Sequence, residues 1–160
     1  MTSSFSLTPR SDRVSRRGLV ARLAAAGAAG LAAFRVGSAE ASDDIPRVAY
    51  HLSDTEKVQF VLGNIANHIA GMGGPDKVKI ALVVNGPALT AFTSKDINAD
   101  VARRLRAAGD AGVELGACGN TLDATKLTIA DLVPGFVRID EGGVVRLAQL
   151  QAAGWAYLRP

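Results

Sequence analysis

Val78-Lys79-Ile80-Ala81-Leu82-Val83-Val84 is apolar on both faces but for one lysine, and it ends in Asn85-Gly86-Pro87. A run of that length, rich in β-branched residues and closed by turn residues, has the pattern of a buried parallel strand. A strand with one wet face would alternate apolar and polar residues instead. The segment therefore predicts a sheet covered by helices, and the flanking sequence supplies them.

Upstream, Arg47-Val48-Ala49-Tyr50-His51 is a shorter apolar run. Ser53-Asp54-Thr55-Glu56 then has the spacing of a capping box. Val58, Val61, Leu62, Ile65 and Ile69 follow helical spacing as far as the glycines at 71, 73 and 74. Downstream, residues 86–97 read as a polar-flecked connection with a short helix around Ala88 to Phe92. A helix is expected from about Ala99 to Ala108, with Val101 and Leu105 inside and Gly109 near its end. The third repeat is Gly112-Val113-Glu114-Leu115-Gly116-Ala117, then Cys118, then a helix from about Thr121 or Leu122. Phe136–Ile139 reads as a fourth strand, Val144–Ala152 as a helix, and Trp155–Leu158 as a last strand. About five short strands separated by helices imply an α/β fold: a three-layer parallel sheet with helices on both faces and right-handed crossovers.

The first forty or so residues read as an address rather than as structure. Ser15-Arg16-Arg17-Gly18-Leu19-Val20 carries twin arginines, an Ala/Gly/Leu run follows to about Ala33, and Ala39-Glu40-Ala41 is an A-x-A cleavage signal. The order predicts a twin-arginine signal peptide over residues 1–41, cleaved after about Ala41, and a periplasmic domain over residues 42–160. Arg22 and Arg35 break the apolar run well short of the roughly 18 residues of a membrane-spanning helix. The leader holds six arginines against two acidic residues. The remainder has twelve basic residues against thirteen acidic, so the +3 net charge of the whole chain belongs to the leader. No polybasic surface is left to argue for nucleic acid.

In open parallel sheets the functional edge lies at the carboxyl ends of the strands. Those ends carry His51, Asn85 and Cys118, one imidazole, one carboxamide and the chain's only thiol. Beyond Cys118, Gly119 would let the backbone approach an incoming sulfur group, and the N–H groups of Asn120 and Thr121 would favour negative charge on the thiol or on a persulfide. The other reading of Cys118 is a small buried hydrophobe. His51 could assist proton transfer or cap a loop, and Asn85 could hold its turn or bind a ligand. Two histidines and one cysteine at unrelated spacings make no metal site. Gly71-Met72-Gly73-Gly74 closes a helix, whereas a dinucleotide fingerprint opens one, so no cofactor is implied. A cysteine hydrolase would need a third orienting residue that the sequence does not identify.

Tyr50-His51-Leu52-Ser53, Val83-Val84-Asn85-Gly86, Ala117-Cys118-Gly119-Asn120-Thr121-Leu122 and the closing Gly154-Trp155-Ala156-Tyr157, taken in order, resemble the DsrE/DsrF-like family over about Ile45 to Leu158. The resemblance implies a small α/β subunit, related in architecture to flavodoxin-like sheets, that assembles into homo- or hetero-oligomers, commonly trimers and hexamers, with a homo-oligomer expected for this chain. It further implies a sulfur relay in which Cys118 carries sulfane sulfur as a persulfide between donor and acceptor proteins or small persulfides. Export would make the twin-arginine translocase a transient partner. The competing expectation is a non-catalytic oligomeric binding or assembly module with a structural cysteine.

Overall fold

The structure, a computed structural model, describes residues 45–160. The leader read over residues 1–41 and its cleavage point lie outside the described residues. The elements run β1 (Arg47–Leu52), α1 (Val58–Gly71), β2 (Lys79–Val84), α2 (Ala99–Asp110), β3 (Glu114–Cys118), α3 (Gly119–Thr125), β4 (Phe136–Ile139), α4 (Gly143–Ala152) and β5 (Ala156–Leu158). Short 3-10 turns fill the connections, among them Thr55–Lys57 and Gly86–Phe92. The strands form one five-stranded sheet in the order β4-β3-β2-β1-β5, with every pair parallel.

That order dictates the layers. From β1 to β4 the chain moves steadily toward one edge, and right-handed crossovers of one direction place their helices on one face. The step from β4 back across the sheet to β5 reverses direction, so α4 covers the opposite face. The core divides in the same way because strand side chains alternate. Tyr50, Leu52, Leu82, Val84, Leu115 and Ala117 pack with Val61, Ile65, Val101 and Leu105 of α1 and α2. Ala49, Ala81, Val83 and Ile139 pack with Leu147 and Leu150 of α4. The α4 face is the thinner layer, and the outer part of β3 and β4 on that side is left as a groove of about 410 Å³ lined by Gly116, Val137 and Ile139 among others.

Two local expectations are corrected. The Ser53-x-x-Glu56 capping box does not form: a 3-10 turn precedes α1, and its first residue is capped by no side chain. The Ser53 hydroxyl and the Asp54 carboxylate instead accept hydrogen bonds from Arg159 at 2.8 and 3.2 Å. The helix after Cys118 begins at once, at Gly119. The helix with Gly109 near its end closes as expected, at Asp110, and Gly112, at a φ of +83°, makes the left-handed turn into β3.

Candidate functional site

Alternation along each strand decides which side chains share a face. Ala49 and Val83 point into the α4 layer, so His51 and Asn85, two residues further on, point the same way. Ala117 packs on the α1/α2 side, which turns Cys118 toward α4. Tyr157 pairs in register with Ala49 and so joins the same face. The three strand-end residues expected from sequence thus project together, and the structure adds Tyr157 to them.

The connections also define a crevice. The chain leaves β1, β2 and β3 toward the α1/α2 layer, where Leu122 of α3 is buried with that core, but it leaves β4 toward α4. Adjacent strands whose connections diverge open a gap at their carboxyl ends, the usual ligand position in such sheets. Cys118 stands at that gap, paired in register with Ile139 of β4.

Cys118 is 5% exposed. The first residue of α4 reaches its sulfur: the Gly143 N–H donates to Sγ at 3.2 Å. Burial pushes the Cys118 thiol up, but the Gly143 N–H, the Thr121 hydroxyl and the backbone N–H groups of Thr121 and Asn120 together outweigh it and hold the thiol below its ordinary value. The stabilisation comes from oriented amide and hydroxyl dipoles. The nearby Arg138 guanidinium is already committed to Asp123 and Asp140, both at 2.7 Å. Thr121 is held in turn, because its Oγ1 accepts the Gly86 N–H at 3.0 Å.

His51 plays no part in that set. Its Nε2 lies 3.1 Å from Asn85 Oδ1 and its Nδ1 2.8 Å from the Tyr157 hydroxyl. One strand separates β1 from β3, and both ring nitrogens of His51 are engaged by partners other than Cys118. Among the described residues no hydrogen bond joins His51 or Asn85 to Cys118. Gly143 packs against both Asn85 and Cys118: a Cβ built on it would lie 3.4 Å from Asn85 Cβ and 3.4 Å from Cys118 Cβ.

Gly119 has a packing reason for being glycine. A Cβ there would come within 2.7 Å of the Ile139 carbonyl oxygen and 3.2 Å of Arg138 Nη2. Because the nearest clash is with backbone, Gly119→Ala is expected to destabilise the domain by about 1–3 kcal/mol, read as a lower urea midpoint with an unchanged slope. Asn120 is exposed, and its amide lies against Gly142, where a Cβ would meet Asn120 Nδ2 at 2.6 Å. Among the described residues no group of three His, Cys, Asp or Glu side chains could hold a metal ion.

Gly143 and Tyr157 are the participants that sequence reading missed. The Gly142-Gly143 pair in the turn between β4 and α4 was the available signal for the first, since glycines at a strand-to-helix turn admit close backbone approach. The second had no local signal, because Tyr157 joins the face of Ala49 only through the pairing of β5 with β1.

A family model described as the DsrE/DsrF-like family matches residues 47–160, from the start of β1 to the last residue. Among solved structures the chain is similar to a protein of unknown function, MTH1491 from Methanobacterium thermoautotrophicum. The identity is 26% and the TM-score 0.63, covering 72% of this chain and 99% of that one. It is also similar to the ychN protein from E. coli at 17% identity and a TM-score of 0.57, covering 73% and 100% respectively, a likeness of fold alone. A comparison with curated proteins returns no match.

Proposed function

Since this chain belongs to the DsrE/DsrF-like family, we propose that it carries sulfane sulfur as a persulfide on Cys118 and passes it to a partner. A sulfur-relay-like role goes with the family. The observation that carries the finer reading is the donor set around the sulfur, with the Gly143 N–H at 3.2 Å and the Thr121 and Asn120 groups beside it. The thiolate, not the thiol, is the nucleophile.

In the loading step the Cys118 thiolate attacks the outer sulfur of a donor persulfide. A new S–S bond forms at Cys118 as the donor's own S–S bond breaks, and the donor leaves as a thiolate with the electron pair. The proton on the transferred sulfur goes to solvent. In discharge, an acceptor thiolate attacks the outer sulfur and Cys118 departs as thiolate, so the cycle involves no net oxidation. Amides that stabilise the resting thiolate also make it a better leaving group.

The reading extends to an exported protein, with residues 1–41 as a twin-arginine leader, and to assembly as a homo-oligomer, a trimer or hexamer. Val137 (69% exposed), which lines the groove beside β4, and Val144 (70%) of α4 support an assembly face. A second reading, a binding or assembly module with a structural cysteine, is favoured by one observation, the burial of Cys118. Intact-mass measurement after incubation with inorganic polysulfide separates the two. Sulfur carriage gives an adduct of about 32 Da, the mass of one sulfur atom, that maps to Cys118 and is discharged by a small thiol. An unmodified protein whose thiol still reacts with an alkylating reagent would reject it.

A further inference from the structure

The carboxyl edge of the sheet carries a directional row of hydrogen bonds that the resting thiol does not use. Asn85 Oδ1 is an acceptor only, so the His51 nitrogen 3.1 Å from it, Nε2, carries the proton. In neutral imidazole the other nitrogen is then an acceptor, and Nδ1 receives the Tyr157 hydroxyl at 2.8 Å. Tyr157 thus donates to His51 and His51 donates to Asn85. Each link sets the polarity of the next.

The consequence falls on the Asn85 amide nitrogen. A carboxamide with its oxygen turned toward β1 turns its two N–H donors away from β1. Among the described residues Asn85 Nδ2 has no hydrogen-bond partner. Val84 pairs with Ala117, so Asn85 stands level with Cys118 on the neighbouring strand, about 4.8 Å away across the sheet. Both side chains face α4. The outer atom of a persulfide extends one bond beyond Sγ and carries negative charge once ionised.

We propose that the Asn85 amide donates a hydrogen bond to the outer, anionic sulfur borne by Cys118, and that Tyr157, acting through His51, is the positioning residue that turns the amide toward it. The inference rests on the persulfide reading above and assigns a recognition group to the carried sulfur rather than to the resting thiol. It also gives a reason for a hydroxyl on the edge strand, 38% exposed and 106 residues from its partner in sequence.

The test pairs a state measurement with a rate measurement. Nitrogen-15 NMR of the unloaded wild type is expected to show His51 as the Nε2–H tautomer, and Tyr157→Phe as a mixture of tautomers. Loading from inorganic polysulfide and discharge to a small thiol, followed by intact mass, are expected to respond at Asn85. Asn85→Leu should shorten the life of the adduct about tenfold or more, the scale of one charge-assisted hydrogen bond, and Asn85→Asp should slow loading at least as much. Tyr157→Phe should give an intermediate effect of the same sign. An Nδ1–H tautomer in the wild type would mean that the amide faces the other way and would overturn the inference even if a variant failed to fold. A wild type that loads normally beside variants with unchanged rates would overturn it and leave the carrier reading intact. A wild type that takes up no sulfur would overturn the carrier reading and this inference with it.

Discussion

Cys118→Ser is expected to abolish sulfane-sulfur uptake while leaving the fold in place. It is the chain's only cysteine, so no second thiol can take over. A serine hydroxyl fits the same volume and can accept the Gly143 N–H that now reaches Sγ at 3.2 Å. Its far higher pKa leaves it without nucleophilic character in the absence of a base, and His51 is hydrogen-bonded to Asn85 and Tyr157 instead. The expected record is a far-UV circular dichroism spectrum like that of the wild type and no adduct of about 32 Da after exposure to polysulfide. A serine variant that still binds its partner and sustains the same cellular role would assign Cys118 to structure.

Phe92→Ala has the largest expected effect on stability. Phe92 is fully buried, its ring 5.2 Å from that of Phe136 at 59°, and its carbonyl accepts the Val133 N–H at 2.9 Å. Truncating such a side chain costs about 3–5 kcal/mol through lost transfer energy and the cavity left behind. Typical domains are stable by only about 5–15 kcal/mol, so the urea midpoint should fall steeply. Exposed Val137→Ala should change stability by no more than about 0.5 kcal/mol. The effect reaches the site because Phe92 anchors the turn beginning at Gly86, whose N–H fixes Thr121 Oγ1 at 3.0 Å. Loosening that turn should bring the reactivity of Cys118 toward that of an unfolded thiol.

Lys79–Val84 was legible because burial on both faces writes itself as a continuous apolar run. Phe136–Ile139, exposed at Val137 and interrupted by Arg138, was marked instead by the Pro134-Gly135 turn before it. Helix starts were less legible where a distant residue competes for the cap. Ser53 and Asp54 are occupied by Arg159, more than a hundred residues away, and no local spacing reports that. The alignment of His51, Asn85 and Cys118 on one face follows from strand ends and period-two alternation, both readable in sequence. What those residues touch was not readable. Gly143 reaches Cys118 only because α4 lies on the opposite face from α1 and α2, and Tyr157 meets His51 only because β5 pairs beside β1. Both facts depend on strand order, which the linear pattern of strands and helices leaves open.

The central physical claim is a thiol whose pKa neighbouring dipoles hold below its ordinary value despite its burial. Ultraviolet absorbance of the thiolate, titrated in the native protein with Cys118→Ser as the blank, measures it directly. Burial alone would raise the midpoint, whereas the Gly143, Thr121 and Asn120 donors lower it below the ordinary thiol value. The linked stability has a definite sign. A folded value below the unfolded one contributes stability that is complete above the unfolded thiol's pKa and is lost as pH falls through the folded value. The account predicts a native midpoint below that of the urea-unfolded chain, and stability that rises with pH between the two. A native midpoint at or above the unfolded one would contradict it.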